Sequence, residues 1–132
     1  MAQFAVTQKA VIQNDEGKIL AIFRTETAPS RPNTWDLPGG EVDFGESPQD
    51  GIRREIKEET GLEVEDVRPF DTEVHLFPEE GVYWLTIAYK CKASSNNVVL
   101  SWEHNNYKWV TPEEFLQLES SPRFQKFIKN LK

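Results

Sequence analysis

The chain has 132 residues, of which 38% are hydrophobic and 28% are charged. This size and composition predict one globular domain over residues 1–132 and exclude global disorder. The 22 acidic residues outnumber the 15 basic ones and give a net charge of −7, so a nucleic acid polymer is not an expected partner. A negatively charged substrate would need a cation to bridge it to so acidic a surface.

Membrane and secretory classes are also disfavoured. No apolar run approaches the roughly 18 residues that a membrane span needs, and residues 1–9 lack the pattern of a secretory signal. Cys91 is the one cysteine, so no internal disulfide is expected. The predicted location is therefore the reducing cytoplasm.

The predicted elements begin with a β-hairpin of residues 4–13 and 18–24, joined by turn chemistry at residues 14–17. Residues 25–45 are rich in proline and glycine and predict a long loop of functional importance. A helix is predicted over residues 48–60, because Ser47 can cap it and Gly61 can end it. Further strands are predicted at residues 63–70, 72–77, 82–92, 98–102 and 107–110, and helices at 111–118 and from 121 onward. This order indicates an α/β fold, a mixed β-sheet with helices on both faces.

Three acids of the predicted helix share one arc of its surface. Ile52 and Ile56 form the apolar stripe, and Glu59, Glu55 and Glu58 follow at about 20°, 60° and 120° from Ile52. The opposite side, which is expected to face solvent, carries Asp50, Arg54 and Lys57. Carboxylates crowded at a buried edge favour protonation unless a cation neutralises them. Mg²⁺, with Mn²⁺ as an alternative, prefers such oxygen ligands, so the arc predicts a metal site.

The segment from Gly40 to Leu62 resembles the Nudix box, which reads Gly, five residues, Glu, seven residues, then Arg-Glu-apolar-x-Glu-Glu-x-Gly-apolar. The matching positions are Gly40, Glu46, Arg54, Glu55, Ile56, Glu58, Glu59, Gly61 and Leu62. Residues 35–39 resemble the family's approach loop, and residues 103–114 resemble its C-terminal region. The resemblance implies a Nudix-type α/β/α sandwich that hydrolyses nucleoside diphosphates linked to another group, X.

The resemblance also implies roles for individual residues. The implied metal ligands are the Gly40 carbonyl, Glu55, Glu58 and Glu59, with Glu103 as a further candidate outside the box. Arg54 and Glu46 would form a structural ion pair. Glu58 or Glu55 is the first candidate for the catalytic base, and Glu103 is the alternative, because some family members use an acid outside the box.

The reaction implied is attack of metal-activated water on phosphorus, which gives a nucleoside monophosphate-type product without a covalent nucleophile. Bound Mg²⁺ neutralises phosphate charge and lowers the pKa of water, and a nearby carboxylate accepts the proton. Arg24 is either a ligand of a substrate phosphate or a surface arginine. Arg31 and Tyr107 are the other candidates for substrate binding, and His75 and His104 are predicted to be structural or surface residues.

Several substrates and functions stay open. The partner is a small-molecule nucleotide, either a nucleoside triphosphate (including oxidised ones) or a dinucleoside polyphosphate, with ADP-ribose and nucleotide sugars as alternatives. A nucleotide-binding module without activity is disfavoured by the intact acids. A prenyl diphosphate isomerase, which shares a related box, is disfavoured because no active-site cysteine accompanies the box. A monomer and a homodimer are both compatible with the sequence.

Overall fold

A computed structural model describes residues 3–131. The elements follow in the order β1 (Gln3–Gln13), β2 (Ile19–Arg24), β3 (Trp35–Asp36), β4 (Gly39–Glu41), α1 (Pro48–Thr60), β5 (Val64–Phe77), β6 (Val82–Ala93), β7 (His104–Val110), α2 (Pro112–Phe115) and α3 (Pro122–Lys129). Within residues 3–131, no helix combines the length and the apolar character that crossing a bilayer requires.

The strands form one mixed sheet. Its main path is β3-β2-β1-β6-β5, while β4 pairs with β1 and β7 pairs with β2. Strands β1 and β6 run parallel, and β5 and β6 run antiparallel. Because β4 pairs with the middle of β1, at Thr7 to Lys9, the chain that leads into α1 is held against the centre of the sheet.

Apolar side chains on both faces of the sheet are buried under helices. Successive residues of a strand point to opposite faces, so Ala10 and Ile12 pack with Ile52 and Ile56 of α1. On the other face, Val11 packs in a second cluster formed with α2 and α3. The predicted α/β class, a mixed sheet with helices on both faces, is confirmed.

Two predicted strands differ from the structure. The candidates at 63–70 and 72–77 form the single strand β5, whose pairing with β6 shifts register near Pro69. The strand predicted at 98–102 is wrong, because its backbone bonds to the end of α1 instead of to a strand. The Val99 N–H donates to the Thr60 carbonyl at 2.9 Å, and the Ser101 N–H donates to the Glu59 carbonyl at 3.2 Å.

Candidate active site

Helix α1 places its three acids at graded depths. The Ser47 hydroxyl accepts from the Asp50 N–H at the first turn, and Ile52 and Ile56 are fully buried, which fixes the rotation of the helix. Three acids then lie along the edge of the buried face, namely Glu55, Glu58 and Glu59. The Glu59 residue is 8% exposed, whereas the side chains of Glu55 and Glu58 are 17% and 58% exposed.

Strand β4 brings backbone against these acids. The Gly39 N–H donates to Glu59 Oε1 at 2.7 Å. A Cβ atom on Gly40 would lie 2.6 Å from Glu55 Oε2, so the Gly40 backbone rests directly on that carboxylate. Gly39 has φ +153°, and a Cβ there would lie 1.9 Å from the Gln8 carbonyl oxygen. The pair of glycines is therefore what allows the close approach.

Burial shifts the pKa values of Glu55 and Glu59. Burial raises the pKa of Glu59 to about 8, although Lys9 and the Gly39 hydrogen bond act in the opposite direction. Burial also raises the pKa of Glu55, against the lowering effect of Arg54. For Glu59, the protein therefore supplies less positive charge than the carboxylate needs in order to stay fully ionised at neutral pH.

Arg54 lies among the acids and does not face away from them, so its predicted solvent-facing placement is wrong. Its Nε and Nη2 donate to the two oxygens of Glu46 at 2.7 and 2.9 Å. Its Nη1 donates to Glu55 Oε1 at 2.9 Å and to Glu58 Oε1 at 3.3 Å. The hydrogen bonds from Arg54 lower the pKa of Glu46 to about 2. This bidentate pair ties the loop before α1 to the helix.

Glu103 lies beside Arg24. Its Oε2 is 3.9 Å from Arg24 Nη2. The interpretation of Arg24 as a surface arginine is wrong, because the residue is 6% exposed. Its Nη1 pairs with Asp36 Oδ2 at 3.0 Å, and its Nε donates to the Ser30 carbonyl at 2.7 Å.

Asp36 is a fully buried carboxylate. Besides Arg24 it contacts Lys9, whose Nζ is 3.0 Å from Oδ1, and His104, whose Nε2 is 3.1 Å from Oδ2. Burial alone would raise the pKa of Asp36, but Lys9, His104 and Arg31 outweigh burial and hold it well below its usual range. His104, itself buried, is therefore a structural partner of this carboxylate.

The remaining substrate-binding candidates lie at different depths. Arg31 is half-buried in the loop before β3 and has φ 46°. Its guanidinium carbon lies 5.0 Å from the Phe124 ring centroid. Tyr107 is 38% exposed and lies on β7 opposite Ile22 of β2.

Comparison with known proteins identifies the family of this chain. The model of the NUDIX domain matches residues 4–131 of the chain. The chain belongs to the Nudix family. It is a Nudix-type pyrophosphohydrolase, an enzyme that acts on the pyrophosphate bonds of nucleotides.

Individual Nudix relatives agree with this assignment. The chain is 34% identical over 110 residues to a MutT-like protein of Streptomyces ambofaciens, covering 83% of this chain and 66% of that protein. It is 32% identical over 114 residues to the nucleoside triphosphatase NudI of Salmonella arizonae, covering 80% of each. Among solved structures, the MutT protein of Methanosarcina mazei Go1 superposes with a TM-score of 0.80 at 30% identity, covering 97% of this chain and 92% of that one.

The donor set of this Nudix site fits a hard divalent cation, although the side chains are not arranged around one. Within residues 3–131, no group of three or more His, Cys, Asp and Glu side chains is disposed to hold a metal ion. Arg54 holds Glu55 and Glu58, and the Gly39 N–H holds Glu59. These carboxylate oxygens next to a glycine backbone are nevertheless the kind of donors that Mg²⁺ prefers. Burial raises the pKa of Glu55 and Glu59, and the charge of a bound cation would offset that effect.

The roles of Asp36 and Lys9 in this Nudix chain were not predicted from the sequence. A lysine in a strand that is buried from Thr7 to Ile12 needs a buried carboxylate, and this was the available signal. The partner was not evident, because Asp36 follows Trp35 in a segment that the sequence predicts as loop.

Proposed function

We propose that this Nudix hydrolase, with Mg²⁺ or Mn²⁺ bound, cleaves a pyrophosphate bond of a nucleoside diphosphate linked to a group X. The expected substrates are nucleoside triphosphates, including oxidised ones, and dinucleoside polyphosphates. The observation that carries the proposal is the placement of Glu55, Glu58 and Glu59 against the backbone of Gly39 and Gly40. The likeness to a nucleoside triphosphatase also supports it.

The metal would be held by a small set of oxygens: the Gly40 carbonyl, Glu55, Glu58 and Glu59, with Glu103 as a further candidate. When bound, the ion neutralises phosphate charge and lowers the pKa of a water molecule. Glu59 is fixed by Gly39, so it serves as a rigid ligand. Glu58 is exposed and can turn toward substrate.

Proton transfer requires a carboxylate near the attacked phosphorus. We assign the base to Glu58 or Glu55, since both lie on the open edge of the arc and share Arg54 Nη1. Glu103 is the alternative base, and its neighbour Arg24 orients it at 3.9 Å. Arg24 is itself bound to Asp36, so a direct contact between Arg24 and a substrate phosphate would use its Nη2.

Arg31 and Tyr107 remain the proposed contacts to the nucleotide or to X. ADP-ribose and nucleotide sugars are the alternative substrates. A non-catalytic nucleotide-binding module is the alternative function. We place the protein in a reducing compartment, the cytoplasm, because Cys91 is a buried free thiol, and we expect a monomer or homodimer.

The test is release of phosphate or nucleoside monophosphate from a panel of nucleotides, with Mg²⁺ and with chelator. Glu58→Gln and Glu55→Gln should each reduce kcat by about 100-fold or more if the residue is the base. Glu80→Gln, a change at an exposed turn residue, is the matched control and should retain full turnover.

Each contrary result has a distinct meaning. Wild-type turnover in Glu58→Gln and Glu55→Gln would remove both from the base role and leave Glu103→Gln to be tested. Hydrolysis that continues in chelator would contradict the metal-dependent mechanism. Binding of nucleotides without release of any product would support the binding module instead.

A further inference from the structure

Three cations surround one buried aromatic ring on the sheet face opposite α1. Lys9 Nζ and the guanidinium carbons of Arg31 and Arg123 lie 5.3, 5.0 and 5.1 Å from the ring centroid of Phe124. We call Lys9, Arg31 and Arg123 the cationic shelf. They come from β1, from the loop before β3 and from α3, so the tertiary fold gathers them in a protein whose net charge is −7.

The positive charge of the shelf is only partly balanced by the protein. Lys9 pairs with Asp36 at 3.0 Å, but Asp36 also pairs with Arg24 at 3.0 Å. Within residues 3–131, neither Arg31 nor Arg123 forms an ion pair with a carboxylate. Asp36 therefore acts on the two half-buried arginines only through its charge, because its oxygens are taken by Lys9, Arg24 and His104.

The hydrogen bonds of the two arginines are also incomplete. Arg123 Nη1 donates to the hydroxyl of Thr86 at 2.9 Å, which is an uncharged acceptor. Arg31 Nη1 is buried and has no hydrogen-bond partner in the part of the chain that the structure describes. A buried donor without a partner is costly and rare in folded proteins. The shelf thus lacks an acceptor, and the missing acceptor should carry negative charge.

The electrostatics of the shelf point the same way. Burial lowers the pKa of Arg123, and the charge of Arg31 lowers it further, with Asp36 opposing the shift. Burial likewise lowers the pKa of Arg31, with Arg24 adding to the effect and Asp36 opposing it. The two guanidinium groups therefore repel each other at a site that already disfavours charge, which an anion would relieve.

The shelf is continuous with the acids of α1. Lys9 belongs to the shelf, and it lies opposite Gly39 where β1 and β4 pair. The Gly39 N–H in turn donates to Glu59 Oε1 at 2.7 Å. A molecule whose pyrophosphate lies at the acids can therefore extend past Lys9 toward Arg31 and Arg123. An anion bound there would belong to the same substrate, at one end of it.

We propose that the cationic shelf binds a second anionic group of the substrate, a phosphate ester or a carboxylate outside the pyrophosphate that is cleaved. Guanidinium groups suit this role, because they can bind phosphate and carboxylate oxygens through paired N–H donors. This inference rests on the proposed function for the identity of the substrate. It narrows the substrate class to nucleotides in which X or the nucleoside carries a negative charge of its own.

The first experiment measures anion binding without catalysis. Inorganic phosphate is titrated calorimetrically into wild-type protein in EDTA, so that no metal recruits it to the glutamates. The same titration is made with Arg31→Met, Arg123→Met and the double variant. Arg68→Met, a change at an exposed residue of β5, is the matched control. We expect at least tenfold weaker binding in each single shelf variant and no change in the control.

Two further readouts separate a binding role from a structural one. The Nε–H NMR signals of Arg31 and Arg123 should shift on phosphate addition in the wild-type protein. Arg123→Lys should restore part of the affinity lost in Arg123→Met, because it keeps the charge without the paired donors. Unfolding midpoints identify any variant that has lost stability. If Arg123→Met is such a variant, the phosphate affinity of Arg123→Lys decides whether Arg123 binds the anion or only stabilises the fold.

The second experiment compares substrates that differ in one charged group, with Mg²⁺ present. The pairs are coenzyme A with dephospho-coenzyme A, UDP-glucuronate with UDP-glucose, and a nucleoside triphosphate with its γ-methyl ester. In a pair that is hydrolysed, the member with the additional negative charge should have an at least tenfold higher kcat/KM, because its KM is lower. This ratio should fall toward one in Arg31→Met and Arg123→Met.

The two experiments fail in different ways. Phosphate binding that is lost in the shelf variants, without hydrolysis of any nucleotide, would support the shelf and contradict the proposed function. Two results together would contradict anion binding by the shelf and leave the proposed function intact. They are hydrolysis without preference for the more negatively charged members, and equal phosphate affinity in the wild-type protein and the double variant.

Discussion

At the scale of single residues, Gly39 and Gly40 control how closely backbone approaches the acids of the Nudix helix. The space around the two glycines differs in kind. The atoms nearest to a Cβ on Gly40 belong to the end of the Glu55 side chain, at 2.6 Å, whereas a Cβ on Gly39 would meet the backbone of Gln8, at 1.9 Å. A side chain can turn away from such a contact, but paired strands cannot.

Gly40→Ala should therefore reduce activity more than stability. Displacing the Glu55 carboxylate by about 1 Å should lower kcat by about tenfold or more, while the unfolding free energy changes by less than about 1 kcal/mol. Gly39→Ala is the contrast, and it should cost at least about 2 kcal/mol, because a non-glycine residue is strained at φ +153° as well as blocked. Steady-state kinetics and urea unfolding of both variants provide the measurement. Equal loss of stability in the two would show that the Gly40 backbone, and not Glu55, is what the added methyl group displaces.

At the scale of elements, the sequence predicted those helices and strands whose determining contacts lie within their own segment. Helix α1 occupies Pro48–Thr60, as predicted, because its caps and its apolar period lie within the segment itself. Residues 98–102 have the apolar, partly β-branched composition of a strand, but the N–H groups of Val99 and Ser101 bond to the last turn of α1. Composition does not specify that partner. Arg54 was misplaced for a related reason, because a helical wheel omits Glu46, which lies before the helix.

The N-terminal cap of α1 should contribute measurably to stability. The Ser47 hydroxyl accepts the Asp50 N–H at 3.2 Å, so Ser47→Ala should lower the unfolding free energy by about 1 kcal/mol. Ser121 occupies the same position at α3 without a side-chain hydrogen bond to that helix. Ser121→Ala is thus a matched control with an expected change near zero. Urea unfolding midpoints at constant m-value give both numbers, and similar values for the two variants would contradict the capping assignment.

At the scale of the whole molecule, strand periodicity and amphipathic helices predicted a sheet covered on both faces, and the structure confirms it. The buried cluster formed by Asp36 with Lys9, Arg24 and His104 was not predictable in the same way. Asp36 lies 27 residues from Lys9 and 68 residues from His104 in sequence, and it joins β1, β2 and β7 through single contacts. Contacts that span such separations leave no periodic pattern, and each partner alone resembles an ordinary surface residue.

Asp36→Asn tests whether these strands are held by charge. Removal of the carboxylate would leave Lys9 buried without its counter-ion and Arg24 with the longer 3.9 Å contact to Glu103 in its place. We therefore expect a loss of about 3–5 kcal/mol at pH 7. Asp15→Asn, a change in the exposed turn after β1, is the control and should be neutral.

The pH dependence of that loss follows from the direction of the pKa shift. Because the folded protein holds the pKa of Asp36 below its unfolded value of about 3.9, the ionised group stabilises the fold above that pH, and its contribution declines as the pH falls further. The difference in unfolding free energy between wild type and Asp36→Asn should therefore be largest near neutral pH and shrink below about pH 4. Urea unfolding of both proteins at pH 7, at pH 5 and below pH 4 measures it. A difference that stays constant over this range would mean that Asp36 acts through its shape and hydrogen bonds, and that the surrounding cations do not depend on its charge.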